Sequence, residues 1–407
     1  MKKLCLLMAL VMLLLCGCGT EDEDTGRRRS RKNKEDTEQS EVAQTLEAAS
    51  VGRMGYAVSD GENIYYWQYD RSEYEDGAMM GFFAKRMVAT LVCLDKDGQT
   101  QELVRTRTAD VFILAGDSIY YVDVDQIYRL DLESLETTVL TAGALVDVDE
   151  KGENLIIELD TKYHSYNIAS DEFTALFSEG SYEGYYDGVV YYGTEPENYE
   201  LSQKGQVNLN AVNIDGTDAR LLVTTQPDLY SYGGVSNAAI EQLRFGEDAL
   251  YFSYGSIGGS GGFFQGGKVI RVPFDGGAPE VVAGQNDLVN ADFGIAGDGS
   301  VEVYEDSFTP YYSGHTQYYE SQEGLFWMDR HTGMRQKLLS LSEYEDLIDC
   351  DTAFVSLCDV WDDVAILTIN YTNIDPSKAM GWRDYYARVQ TVTYKLESGV
   401  LTELYSF

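Results

Sequence analysis

The chain carries 68 carboxylates and only three imidazoles, His164, His315 and His331. Histidine-based metal or proton-transfer chemistry would need those residues close to one another or to carboxylates at a defined spacing. His164 lies in YHSYNI beside Tyr163 and Tyr166, the pattern of a strand residue, and His331 lies in the turn RHTG. Only His315, flanked by Ser313 and Thr316, falls in a long irregular stretch, and a lone loop histidine is a poor general base. No GxSxG elbow is present, so a serine-hydrolase site is not indicated. No CxxC is present, so a zinc site is not indicated either. The glycine-rich stretch Gly255 to Gly267 lacks a Lys-Ser or Lys-Thr ending and no helix follows, so it reads as a hairpin insertion, not a phosphate loop. Asp95 with Asp97, Asp123 with Asp125 and Asp147 with Asp149 alternate, but none completes an EF-hand spacing. Calcium therefore rests on these pairs alone, turn stabilisation is their expected role, and no other cofactor is implied. Carboxylate pairs of the glycosidase kind are too common in so acidic a chain to point anywhere.

The residues that stand out instead are aromatic and lie between apolar runs: Tyr74, Phe82, Phe83, Tyr199, Phe263, Phe264, Tyr311, Tyr312, Tyr318, Tyr319, Trp382, Tyr385 and Tyr386. Rings with a polar handle suit recognition of proteins or glycans. The competing role is to fold back and cap a core, and the Phe82 and Phe263 pairs, each after a glycine, are also placed to start a strand.

The elements that would carry them form a repeat. The stretch AGDSIYYVDVDQIYRLDLESLETTVL, from Ala115, holds a tight turn, a Tyr-rich strand, a short gap, a third strand ending in Asp, a turn and a last strand. The phrase recurs seven times. Second strands read IYYW from Ile64, IYYV from Ile119, LIIEL from Leu155, VVYYG from Val189, LYFSY from Leu250, VEVYE from Val301 and VAILTI from Val364. Third strands read LVCLD, IYRLD, YHSYNI, LNAVNID, VIRVPFD, LFWMD and VQTVTYKL. The 31 tyrosines and only 6 prolines favour pleated, half-buried structure. Seven units of four antiparallel strands predict an all-β, seven-bladed β-propeller over 51–407, with six or eight blades as alternatives because no separate closing strand is evident.

The N-terminal segment is expected to lie outside that fold. Lys2 and Lys3 precede an apolar run from Leu4 to Leu15, too short for a comfortable bilayer span. The sequence LCGC follows and resembles the lipobox of bacterial lipoproteins, which implies a signal peptide over 1–17 and lipidation of Cys18. Residues 18–50 then read as a charged tether with too little apolar surface to order itself, and its basic cluster Arg27 to Lys34 is flanked by acidic blocks. Past Cys5, Cys16 and Cys18 three cysteines remain, Cys93, Cys350 and Cys358, and the odd count argues against a disulfide framework.

The pairs IYYVD with IYRLD, and LYFSYG with VIRVPFDGG, resemble the YWTD-type propellers of lipoprotein receptors and, more closely, the propellers of bacterial surface lipoproteins of unknown function. That resemblance implies a lipid-anchored protein on the extracytoplasmic side of the cell membrane.

Strand counting also predicts a binding face. Units one, four, five, six and seven have long insertions between their second and third strands, and all five should leave the same end of the sheets. The candidate ligand-binding residues there are Tyr74, Phe82, Tyr199, Phe263, Tyr311, Tyr312, His315, Tyr318, Tyr319, Trp382, Tyr385 and Tyr386. A formal charge of -38 excludes nucleic acid, whose phosphates need cationic partners. The expected function is capture of a protein or glycan at the cell envelope. The alternatives are a carbohydrate-active lyase or hydrolase that uses loop carboxylates, and a passive assembly scaffold.

Overall fold

The computed structural model describes residues 52–69, 88–107, 109–195, 206–225, 237–258, 263–283, 292–304, 312–313, 316–321, 324–329, 331–340, 352–361, 364–372, 390–398 and 400–406. Every secondary-structure element among them is a β-strand. Residues 1–50, and with them Cys18, lie outside the described residues. Among those described, no helix is long and apolar enough to cross a membrane.

The strands follow the repeat. Strand β1 (Gly52–Gly55) comes first. The first unit is β2 (Ala57–Ser59), β3 (Ile64–Tyr69), β4 (Ala89–Leu94) and β5 (Thr100–Thr106). The second is β6 (Phe112–Ala115), β7 (Ser118–Asp123), β8 (Gln126–Asp131) and β9 (Thr137–Ala142). The third is β10 (Ala144–Val148), β11 (Asn154–Leu159), β12 (Lys162–Asn167) and β13 (Glu172–Phe177). The fourth is β14 (Ser181–Tyr186), β15 (Val189–Thr194), β16 (Asn208–Asn213) and β17 (Arg220–Thr224). The fifth is β18 (Asn237–Phe245), β19 (Ala249–Gly258), β20 (Phe263–Pro273) and β21 (Glu280–Ala283). Each of these units is an antiparallel sheet in sequence order. So is the last, β28 (Thr352–Trp361), β29 (Val364–Thr372), β30 (Gln390–Glu397) and β31 (Val400–Ser406).

Local chemistry explains the regularity. The third strands end in a side chain that caps the next turn. Asp131 Oδ1 accepts from the Ser134 amide at 2.7 Å and Asp95 Oδ1 from the Gln99 amide at 2.8 Å. Asp329 Oδ1 accepts from the Thr332 amide at 2.6 Å, and Asn167 plays the same part for Ser170. An Asx side chain that mimics a backbone turn fixes the hairpin at each repeat. The carboxylates of Asp95 and Asp149 are used in this way, Asp149 through the Glu153 amide and the Asn154 side chain. Among the described residues, no group of three or more His, Cys, Asp or Glu could hold a metal ion.

The second-to-third turns of units two and three are two-residue hairpins with both residues at positive φ, Val124 with Asp125 and Asp160 with Thr161. That is the twist-matched I′ geometry. Val124, at φ 46° and 55 % exposed, is a β-branched residue in a left-handed conformation. Val124→Asn should therefore raise stability by about 1 kcal/mol, read as an increased melting temperature.

The buried residues form clusters between neighbouring sheets. Phe112, Ile119 and Leu130 of the second unit meet Trp67 and Leu91 of the first, and Phe252 and Leu250 of the fifth meet Tyr191 and Leu209 of the fourth. First and last units also share a cluster, in which Ile366 packs with Ala57, Ile64, Tyr66 and Val92. Among the described residues, neighbouring sheets thus pack face to face from the first unit to the start of the sixth, and the last unit shares buried side chains with the first.

Two expectations need correction, and another holds in a more ordered form. Unit six is not one sheet. Its first strands, β22 (Asp292–Ile295) and β23 (Val301–Tyr304), pair only with each other among the described residues. Its later strands, β26 (Gly324–Met328) and β27 (Arg335–Ser340), join two strands from the insertion, β24 (Tyr312–Ser313) and β25 (Thr316–Ser321). The insertion's TQYYES is rich in β-formers and takes the edge of β26 expected for VEVYE. Second, the glycine-rich insertion of unit five is the expected hairpin, and β19 and β20 pair along it as far as Gly258 with Phe263. Third, β1 is an extra strand. It pairs antiparallel with β6, so the second sheet has five strands, and it leads into β2 through Tyr56.

Candidate functional site

In every four-strand unit the first strand starts, and the second-to-third connection turns, at the same end of the sheet. The links between units, such as Gly143 between β9 and β10, lie at that end too. In these units the second-to-third connections therefore turn at one end, the long-loop end, and the short Asx turns occupy the other, the short-turn end.

Tyr74, Phe82, Phe83, Tyr199, Tyr311, His315, Trp382, Tyr385 and Tyr386 lie outside the described residues. Phe263 and Phe264 begin β20, opposite Gly258 and Ile257. Tyr312 belongs to β24, and Tyr318 and Tyr319 belong to β25, opposite Trp327 and Phe326. These five aromatics are thus strand residues of two insertions, not tips of irregular loops.

Units two and three have two-residue hairpins at the long-loop end. An aromatic seam that the sequence did not announce lies beside them. Phe177 of β13 stacks between Tyr163 of β12, at 4.4 Å between ring centroids, and Tyr192 of β15, at 4.1 Å. Tyr182 of β14 lies 6.4 Å from Tyr163 in near-parallel orientation. All four rings sit near the long-loop end of their strands and join the third sheet to the fourth. Carboxylates frame the seam. Tyr182 Oη donates to Asp147 Oδ2, a contact between β14 and β10, and Ser181 Oγ donates to Glu183 Oε1 at 2.5 Å. Burial first, then the charges of Glu158 and Glu183, push the Tyr163 phenol above its ordinary value, and burial does the same to Tyr192. Both remain protonated at neutral pH, available as hydrogen-bond donors and as ring surfaces. Such a surface can bind, but it offers no activated nucleophile.

Of the two described histidines, only His331 lies at the short-turn end. His164 stands beside Tyr163 near the long-loop end of β12, and its Nδ1 lies 3.3 Å from the Lys162 carbonyl oxygen. His331 Nε2 lies 3.5 Å from Glu150 Oε1, and its ring is 5.4 Å from that of Tyr186 and 6.1 Å from that of Phe245. The His331 turn therefore reaches the first-to-second turns of units three and four. Its backbone is held there as well, because the Phe245 and Ile295 amides donate to the His331 and Thr332 carbonyls at 2.6 and 2.7 Å. A turn expected at the outer edge of unit six thus stops against the ends of first strands β18 and β22.

The Asp60 turn, also at this end, gives a pH prediction. Burial raises the Asp60 pKa, but hydrogen bonds from Asn63, Glu62 and Tyr65 outweigh it and hold the carboxyl below its ordinary value. A depressed folded pKa contributes stability above the unfolded value, near 3.9, and loses it as pH falls through the folded value. Asp60→Asn should cost about 1 kcal/mol at neutral pH and flatten the acid limb of the stability profile below about pH 4, in denaturant titrations at several pH values.

The fold is propeller-like: successive antiparallel sheets, mostly of four strands, packed face to face. No protein-family model matches the chain, and no curated protein matches its sequence. Solved structures do. The β-propeller domain of the Trilobed protease from Pyrococcus furiosus matches over 87% of this chain and 98% of its own, at 11% identity and a TM-score of 0.47. A puromycin-hydrolyzing peptidase of Mycobacterium tuberculosis matches over 88% of this chain at 11% identity and a TM-score of 0.43, and the match spans about half of its length, 54%. An oligogalacturonate lyase from Vibrio parahaemolyticus matches over 63% of this chain and 75% of its own, at 15% identity and a TM-score of 0.35.

Proposed function

We propose that the chain is a lipid-anchored, extracytoplasmic capture protein whose sheets close into a seven-bladed ring of the YWTD-like kind, with the split sixth unit counted as one blade, and that it binds a protein partner at its long-loop end. What supports this is the half-buried seam of Tyr163, Phe177, Tyr182 and Tyr192, at the end of the strands where the second-to-third connections of the four-strand units turn. Rigid scaffolds present function on such loops. Lipidation at Cys18 supplies the attachment, on the strength of the LCGC sequence and the basic, apolar segment before it. A chain with 68 carboxylates against 30 cations repels acidic envelope polysaccharides and favours a partner with a basic patch.

The test is capture from envelope extracts with the chain as bait. Replacing Trp382, Tyr385 and Tyr386 together with alanine should lower capture of a specific protein at least about tenfold, since aromatic anchors carry most interface energy. The melting temperature should stay unchanged. Undiminished capture refutes the assignment of these loops. Glycans enriched without protein would favour the carbohydrate-active reading, to be pursued by assaying turnover.

A further inference from the structure

The described N-terminal strand fixes where the tether meets the fold. Strand β1 runs antiparallel to β6, with Gly52 opposite Ala115 and Gly55 opposite Phe112. Ala115 is the short-turn end of β6, and Phe112 is its long-loop end. The chain therefore comes in at the short-turn end, climbs along the innermost edge of the second sheet, bends at Tyr56 and descends as β2. Gly52 is wedged there. A Cβ at this position would press on the Asp149 carbonyl oxygen, Val148 and Gly152, all at the β10–β11 turn. Entry is thus at the inner edges of the second and third sheets, not at their outer rim. The same end also holds the His331 turn against the ends of β18 and β22.

We infer that the anchored protein has a preferred polarity: its short-turn end is turned toward the bilayer and its long-loop end outward, open to a protein partner that arrives from the side away from the membrane. The inference rests on the proposed lipidation of Cys18. Between Cys18 and Gly52 lie the 33 residues 19–51. A flexible chain of that length spans about 30 Å on average. With the short-turn end down, that span runs directly from lipid to Gly52. With it up, the tether must first cross a four-strand sheet, about 15 Å, and then pass its height, about 20 Å, before reaching lipid at all. That path of about 35 Å exceeds the average span, so the inverted pose is the less populated one, though within the tether's reach. It would also turn the long-loop end onto the lipid.

The experiment uses the full lipidated chain in phospholipid vesicles that carry an energy-transfer acceptor on the headgroups. A donor dye is placed through an encoded clickable residue at position 96 or at position 162. Lys96 is exposed in the β4–β5 turn at the short-turn end, and Lys162 is exposed at the start of β12 at the long-loop end. Both replace solvent-facing side chains. Flotation of the vesicles reads the anchor, and transfer efficiency reads the polarity. The two sites differ by about 20 Å in height, so transfer from position 96 should exceed that from position 162 at least about twofold. Flotation with equal transfer, or with greater transfer from position 162, overturns the polarity and leaves the anchor standing. Failure of both donors' proteins to float overturns the anchor and the polarity with it. A companion chain with Gly52→Val separates the cause: it should still float, and the asymmetry should shrink as β1 is displaced from β6. An asymmetry unchanged by that substitution would show that β1 does not set the polarity.

Discussion

Gly180→Ala should destabilise the protein by about 3 kcal/mol, whereas Gly188→Ala, eight residues away in the same sheet, should cost only about 1 kcal/mol. Both glycines have positive φ, 106° for Gly180 and 80° for Gly188. Backbone conformation alone would therefore penalise both. The difference is space. A Cβ on Gly188 meets nothing within 4 Å, whereas one on Gly180 would drive into the Gly193 carbonyl oxygen and the Thr194 methyl. Gly180 sits where the chain leaves β13 for β14, and the approach it permits lets β14 pair with β15 from its first residue, Ser181 opposite Gly193. Gly143, just before β10, stands in the same relation to the Glu158 carbonyl oxygen, so this is a repeated device at the entry to first strands. The loss should also disturb the aromatic seam, because Tyr182 follows directly and donates to Asp147. Denaturant unfolding of the two variants settles the point. Equal costs would mean that the close approach relaxes and that φ alone matters.

What the sequence makes legible here is local. Second and third strands fall where their Tyr-rich and Asp-terminated runs predict, because Asx caps such as Asp131 with Ser134 act within a few residues. The end at which the second-to-third connections turn is legible too, since it follows from counting antiparallel strands. What fails is set at long range. In unit six two segments compete for one edge of β26, and only the folded chain decides that TQYYES takes it over VEVYE. The four residues of β1 carry no strong pattern, and their partner β6 lies some sixty residues on. The candidate site divides the same way. Aromatics in insertions could be found by inspection, although Phe263, Tyr312, Tyr318 and Tyr319 prove to be strand residues. The seam of Tyr163, Phe177, Tyr182 and Tyr192 could not. Alternation assigns each ring to a face, but not to a neighbour in the next sheet. The one available signal was position, because all four lie near the same end of their strands.

Ile366→Ala is expected to cost about 3 kcal/mol, within the range for emptying a fully buried aliphatic site. The value depends on how the sheets are joined. Ile366 is in β29 of the last unit and is 0% exposed, yet its cluster is made by Ala57, Ile64, Tyr66 and Val92 of the first unit, with Leu404 and Tyr405 packed alongside. No hydrogen-bonded strand crosses this junction among the described residues: the sheet of β2–β5 and the sheet of β28–β31 are separate ladders. Side-chain burial is what joins them. If the sheets close into a ring, the seam is one interface among many and the chain unfolds as a unit, so the cavity lowers the midpoint of a single transition and leaves its steepness unchanged. If the row of sheets is open, the terminal sheets are free to fray. Each repeat then has only nearest neighbours, and the same substitution produces an early, shallow transition confined to the first and last units. Hydrogen exchange at the β3 and β29 amides distinguishes the cases. Protection lost there, and retained in β11 and β15, would mean that the seam is a contact between two chain ends and that the proposed ring does not close.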